Sequence, residues 1–262
     1  MKIASNGITL HVEEQGQGDL ALVFLHYWGG SARTWKHVAA ELATRFHTFA
    51  IDQRGWGQSE APASGYALAD LAADAEGIVE ALTLHRYVLV GHSMGGKVAQ
   101  LMASRHPAGL MGLVLVAPSP PTPMAVPAEA REMMVGAYES RATVEATIDN
   151  VLTAKPLSAE DREGVIQDSL RGAPAAKQAW PRATSQENIA EQVSNIDVPT
   201  VVIAGELDRV DPVGVLSAEL LSRVPQAVMH VLPGTGHLSM LESPGELTEL
   251  IRSFCASIAG AK

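Results

Sequence analysis

Tyr87-Val88-Leu89-Val90-Gly91-His92-Ser93-Met94-Gly95-Gly96-Lys97-Val98-Ala99-Gln100-Leu101 joins a short apolar run, a glycine-flanked serine and the opening of a helical period. The run reads as a strand covered on both faces, and the stretch from Gly95 as a helix. A serine between them stands on a sharp strand-to-helix corner that projects its hydroxyl. Gly91 and Gly95 lack side chains, which lets strand and helix cross closely. The helix N-terminus points positive backbone dipoles at the same corner, where they favour developing negative charge. By itself the pattern Gly-x-Ser-x-Gly is weak evidence, since a glycine-rich turn with a capping serine also produces it, so its surroundings must decide.

Working outward, further continuous apolar runs at Leu20 to Leu25, Thr48 to Ile51, Leu113 to Val116 and Thr200 to Ala204 predict buried strands, with Ala227 to Leu232 a weaker candidate for the last. Asn6-Gly7 supplies a tight turn, so Lys2 to Ser5 and Ile8 to Glu14 predict an opening hairpin. Helical periods lie between the strands: Leu68, Leu71, Ala75, Ile78, Val79 and Leu82, and later Val213, Leu216, Leu220, Leu221 and Val224. Ser243-Pro244-Gly245-Glu246 reads as a capped start to a final helix striped by Leu247, Leu250, Ile251, Phe254 and Ile258. Alternating strands and helices imply an α/β protein with a mainly parallel central sheet flanked by helices. The proline-rich stretch Pro118-Ser119-Pro120-Pro121-Thr122-Pro123 breaks that alternation, and the residues beyond it show helical periods without a convincing strand. Residues 120–197 are therefore expected to form a helical insertion, which the family resemblance set out below identifies as a cap, in a core made of residues 1–119 and 198–262.

The 262 residues are 47% hydrophobic, enough for one large domain with an insertion. A net charge of -10 with acidic residues spread along the chain does not suit a nucleic-acid partner. No secretory signal and no uninterrupted apolar span is evident, so a cytoplasmic protein without a membrane partner is expected. The single cysteine, Cys255, permits no intrachain disulfide, and its place in an apolar stripe makes it a packing residue. No Cys/His cluster has zinc-site spacing, so no metal is expected.

A serine hydroxyl needs a base and a group to orient that base. His237, in Gly234-Thr235-Gly236-His237, comes after the last strand candidate and sits in a glycine-flanked loop at the same sheet edge as Ser93. His11, His37, His47, His85, His106 and His230 fit surface or strand positions instead. Gly205-Glu206-Leu207-Asp208 places a carboxylate just past another strand, where Asp208 would hold the imidazole in the productive tautomer. Glu206 and Asp211 compete for that role, and Asp211 has the alternative of capping the helix that begins at Pro212. The order Ser, Asp, His suits a serine on such a corner.

With these pieces in place, the chain resembles the α/β-hydrolase family over nearly its whole length. The resemblance rests on His26-Tyr27-Trp28-Gly29-Gly30, on Asp52-Gln53-Arg54-Gly55-Trp56-Gly57-Gln58-Ser59, on the Ser93 corner, and on Gly205 to Asp208 with Gly234 to His237. It implies an α/β-hydrolase fold with Ser93, Asp208 and His237 as catalytic residues. It also implies an oxyanion hole built from the backbone N–H of Met94 and that of Trp28 or Tyr27, since Tyr27 stands where the family commonly has glycine. By the same resemblance the Asp52 to Ser59 loop and His92 are supporting structure. Tyr27, Met124, Met133, Met134, Tyr138, Trp180 and Leu238 become candidates for lining a substrate pocket under the cap. The implied activity is that of a carboxylesterase-like serine hydrolase acting on a small-molecule ester through an acyl-enzyme, with no cofactor. Serine at position 93 disfavours the epoxide hydrolase and haloalkane dehalogenase branches, which need aspartate there. A carbon-carbon bond hydrolase, a lactonase or a perhydrolase of the cofactor-free haloperoxidase type would keep the same triad. A ligand-capturing signalling protein of this fold is the alternative outside catalysis, and monomer and homodimer are both open.

Overall fold

The computed structural model describes residues 1–260. The hairpin forms as predicted: β1 (Lys2–Ser5) and β2 (Ile8–Gln15) pair antiparallel, with Asn6 (φ 47°) and Gly7 (φ 77°) supplying the left-handed turn. The remaining strands are β3 (Ala21–Leu25), β4 (His47–Ile51), β5 (Tyr87–His92), β6 (Leu110–Val116), β7 (Thr200–Gly205) and β8 (Val228–Leu232). All eight make one sheet in the order β1-β2-β4-β3-β5-β6-β7-β8, parallel from β4 to β8 and antiparallel where β1 meets β2 and β2 meets β4. β3, β5 and β7 are buried at every position, because helices cover both faces. β8 is the edge strand, and its exposed Val228 and Val231 explain why its sequence signal was weak.

Flanking the sheet are α1 (Lys36–Leu42), α2 (Leu68–Ala81) and α3 (Met94–Ala103). α2 buries Leu68, Leu71, Ala75, Ile78 and Val79, the positions of its predicted stripe. Between β6 and β7 the chain is helical: α4 (Ala128–Val135), α5 (Arg141–Thr147), α6 (Ala159–Arg171), α7 (Pro174–Arg182) and α8 (Ala190–Val193). The last helices are α9 (Val213–Leu216), which runs on into a widened turn at Ser217–Leu221, then α10 (Ser239–Glu242) and α11 (Pro244–Gly260). The expected serine cap of α11 is engaged elsewhere: Ser243 Oγ pairs with Thr235 Oγ1 at 2.8 Å and accepts from Lys155 Nζ at 2.9 Å.

Parallel strands bring their C-terminal ends to one edge, and the helical insertion sits on the loops of that edge, as a cap would. Trp28 Nε1 donates to Lys177 O, Ala173 N to Gly55 O, Ser169 Oγ to Gly29 O, and His237 N to Leu152 O. Ion pairs add to the contact, Arg33 to Asp168 at 2.6 Å and Lys36 to Glu160 at 2.7 Å. Among the described residues no helix is long and apolar enough to cross a membrane.

The loop after β4 is a braced turn, as the family resemblance implies. Asp52 Oδ1 accepts from Ala32 N at 2.6 Å and Asp52 Oδ2 from Gln58 N at 2.8 Å. Gly57 (φ 54°) is obligatory, since a Cβ there would lie 2.2 Å from the Asp52 carboxyl. Arg54 leaves this loop to form a two-pronged pair with Asp74 of α2, both bonds 2.6 Å and both side chains 5% exposed. Arg54→Ala strands a buried carboxylate and should cost about 3–5 kcal/mol; a loss under about 1 kcal/mol in urea unfolding would contradict this account of the loop.

Candidate active site

Ser93 sits at φ 52° and ψ -115°, a conformation that non-glycine residues adopt only where the surroundings impose it. The surroundings are backbone. A Cβ on Gly91 would come within 2.4 Å of Gly95 O, one on Gly95 within 2.6 Å of Leu25 O and His26 O, and one on Gly96 within 2.6 Å of Pro118 Cβ. Ser93 is tied on both sides: its N–H donates to Val116 O at 3.2 Å, and its carbonyl accepts from Lys97 N and Ser119 N, each at 3.0 Å. β5 and α3 therefore meet at a corner that no larger residues could make.

His237 arrives on the loop after β8 and Asp208 on the loop after β7. His237 Nδ1 donates to Asp208 Oδ2 at 2.8 Å, with side chains 1% and 0% exposed. Asp208 Oδ1 accepts from Val210 N at 2.8 Å and Asp211 N at 3.2 Å, so the carboxylate is satisfied without water. The proton on Nδ1 leaves Nε2 as the bare nitrogen, the form a general base needs. Burial lowers the imidazole's affinity for a proton, but the charge and hydrogen bond of Asp208 outweigh it and raise the His237 pKa above its ordinary value. Among the described residues no hydrogen bond joins Ser93 Oγ to His237. Links of this kind are often long before substrate arrives and tighten in the complex.

His92 supports the base from behind. Its Nε2–H donates to His237 O at 3.0 Å and its ring lies 4.7 Å from the His237 ring. Burial, reinforced by the neighbouring His237, holds its pKa well below the usual value, so it stays neutral. His26, on the loop after β3, has a comparable task that the sequence did not signal. Its Nε2 accepts from Gln53 N at 3.0 Å, which leaves Nδ1–H to donate to Tyr27 O at 2.7 Å. Gly30 N donates to the same carbonyl at 3.1 Å. Across a trans peptide the Trp28 N–H points opposite to that carbonyl. Trp28 N–H and Met94 N–H both stand outside the backbone bonds of the described residues.

Of the pocket candidates, Tyr27, Tyr138, Trp180 and Leu238 are buried, and Met124 and Met134 are half-buried against the core. Tyr138 stitches cap to core: its ring lies 4.3 Å from that of Trp28 and its hydroxyl donates to Trp28 O at 2.9 Å. Met133 is no pocket residue, since it lies on the outer face of α4 and is 73% exposed. The two rival acids are also placed elsewhere. Glu206 accepts from Gly234 N at 2.7 Å and so braces the loop leading to His237. Asp211 does not cap the helix after Pro212; it is buried, and its Oδ2 has no partner. Glu242, which no pattern singled out, pins the base's loop through Glu242 Oε2, accepting from Ala154 N, Lys155 N and Gly236 N. Among the described residues no group of three or more His, Cys, Asp or Glu is placed to hold a metal.

A mostly parallel sheet, a serine on a strained corner after its central strand, and a buried acid–base pair at the same edge define an α/β hydrolase with serine-type machinery. The chain belongs to the Alpha/beta hydrolase family, whose pattern matches residues 22–250. It is 28% identical to a non-heme haloperoxidase of Rhodococcus erythropolis, covering 89% of this chain and 91% of that one. It is also 28% identical to a pimeloyl-[acyl-carrier protein] methyl ester esterase of Aeromonas hydrophila, covering 94% and 99%. Among solved structures it resembles a thermophilic esterase from Thermogutta terrifontis, with a TM-score of 0.83, 25% identity and 98% of each chain covered. The protein is accordingly a hydrolase acting on small molecules.

Burial, aided by the negative charge of Asp208, pushes the Asp211 carboxyl up to about 8 against the opposing attraction of His237 and Lys97. In the unfolded chain the same group titrates near its ordinary value of 3.8. The folded state therefore binds this proton more tightly, and its contribution to stability is lost as pH rises from about 4 through about 8. Asp211→Asn removes the titration. The melting temperature of that variant relative to the parent should climb between pH 5 and pH 9, by roughly 2–4 °C per kcal/mol; a difference that stays level with pH would refute the buried-acid assignment.

Proposed function

We propose that this hydrolase cleaves carboxylic esters of small molecules through an acyl-enzyme on Ser93. The observation that carries the reading is the 2.8 Å pair of His237 and Asp208, buried at the same sheet edge as the Ser93 corner. His237 Nε2 takes the hydroxyl proton as Ser93 Oγ attacks the ester carbonyl, then returns it to the departing alcohol. Water activated by the same nitrogen releases the acid. The N–H of Met94, first in α3, and that of Trp28, turned outward by the grip of His26 on Tyr27 O, hold the oxyanion. Each such donor contributes about 3–4 kcal/mol to the transition state. The methyl ester esterase and the thermophilic esterase among the similar proteins support this choice of bond.

Purified protein should hydrolyse short p-nitrophenyl esters, and a fluorophosphonate should label Ser93, read by peptide mapping. Ser93→Ala should abolish both while leaving the circular dichroism unchanged; turnover that survives the substitution removes Ser93 from the role. Asp208→Asn should lower kcat by about 10⁴, because the imidazole is then held in the wrong tautomer, and Asp211→Asn should not reproduce that loss. Since the base works only when neutral and its pKa is raised, the acid limb of kcat/KM should lie above pH 6.5. A limb at or below that value would be inconsistent with the His237–Asp208 pair acting as described.

A further inference from the structure

Lys97 sits on α3 one turn past Ser93, and its own N–H donates to Ser93 O at 3.0 Å. The side chain is wholly buried. Among the described residues its ammonium pairs with no carboxylate; its hydrogen bonds go to two backbone carbonyls, Thr122 O at 2.9 Å and Ser185 O at 3.4 Å. Thr122 belongs to the strap that leads from β6 into the cap, and Ser185 to the strap that leads from α7 back towards β7. The two straps also bond each other, Met124 N to Ser185 O and Ile189 N to Pro121 O, each at 2.9 Å. Gln100, a turn further along α3 and equally buried, donates from Nε2 to Ser119 O at 2.9 Å on the entering strap. Both roots of the cap are therefore gripped by the helix that starts at the nucleophile corner.

Gripping the straps is what the ammonium adds. A methionine would fill much the same volume without taking a charge out of water, whereas a buried cation is stable only where hydrogen bonds replace its hydration. A bond from a charged donor is also stronger than one between neutral groups. The far side of the cap has attachments of its own, through Leu152 O to His237 N and through Arg33 to Asp168. Loss of the Lys97 ammonium would free the roots without unseating the part of the cap that meets the base.

We propose that Lys97 is a positioning residue: its ammonium pins both connections of the cap to the nucleophile helix and so holds the cap closed round a bound substrate. It acts on substrate retention and leaves the triad untouched. The pin itself does not depend on the ester reading, on which only its kinetic consequence rests. Its grip varies with charge. Burial lowers the Lys97 pKa to about 8 against the opposing charges of Glu187, on the leaving strap, and Asp211, on the loop after β7. Glu219 also faces the entering strap, accepting from Thr122 Oγ1 at 3.0 Å. Above that pH the neutral amine keeps two N–H groups for the two carbonyls but loses the help of its charge, so the grip slackens.

Hydrogen exchange, corrected for its intrinsic dependence on pH, and p-nitrophenyl butyrate kinetics test the pin in the native protein and Lys97→Met. At pH 7 the peptides carrying the Met124 and Ile189 amides should lose protection by about tenfold in Lys97→Met, the worth of one charge-assisted bond, with β5 and β7 unchanged. KM should rise by a similar factor while kcat stays within about twofold. In the native protein KM should climb by about threefold between pH 7 and pH 9.5, and strap protection should fall in step, as the bonds lose their charge assistance. Both stay level in Lys97→Met. The climb should persist in Asp211→Asn, which removes the neighbouring acid that titrates over the same range. Unchanged strap protection in Lys97→Met, or a loss spread equally over β5 and β7, overturns the pin, as does a fall in kcat at constant KM. Should Lys97→Met not fold, the native protein decides: strap protection that stays level across pH 8 overturns the proposal. Strap exchange as expected, without Ser93-dependent turnover, upholds the pin and overturns the ester reading.

Discussion

The close crossing of β5 and α3 at Ser93 is the constraint on which the rest of the site depends. Backbone atoms occupy the space that side chains at 91 and 95 would need, so the corner exists only because those positions carry none. The strain of a serine at positive φ is held by bonds from three directions: Val116, Lys97 and Ser119. Those bonds reach into β6, into α3 and into the strap that enters the cap. The corner is thus both where the hydroxyl is presented and where the strap leading into the cap is anchored. Its neighbours at the sheet edge, the loops after β3, β7 and β8, are held in register by the parallel ladders beneath them.

The polar groups at this edge show how a buried site is kept in one state. Asp208 is fully partnered and the tautomers of His26, His92 and His237 are each set by a backbone or carboxylate partner. Among the described residues Asp211 Oδ2 shares with Tyr27 OH, His92 Nδ1, Ser119 Oγ and Ser239 Oγ the lack of a hydrogen-bond partner.

Much of this organisation is readable in the sequence alone. The apolar runs mark the order of strands and helices, Asn6-Gly7 marks the hairpin, and Ser93, Asp208 and His237 fall on the loops after β5, β7 and β8 at one edge. These features are local, or come from the rule that parallel strands share an edge. What escaped depended on side-chain direction and on contacts between distant segments. Asp208 and Asp211 lie three residues apart in one loop, and only the folded turn shows which carboxylate meets the imidazole. Met133 and Met134 are adjacent on a short helix, so pattern could not say which faces outward. Ser243 has the sequence of a helix cap, yet Thr235 and Lys155 compete for its hydroxyl. His26 and Glu242 act on backbone groups, which carry no sequence signal. The last strand was faint because an edge strand has only one covered face.

Two successive amides of the last loop, His237 N and Leu238 N, both donate to one carbonyl of the insertion, Leu152 O, at 3.0 and 3.1 Å. The histidine's place thus depends on a residue some eighty positions earlier, in the part of the chain that looks most detachable. An engineer who exchanged this cap for another, treating it as an interchangeable specificity module, would also remove the peg on which the imidazole hangs. Graft boundaries here are set less by where the helices begin than by which carbonyl must be returned to its position.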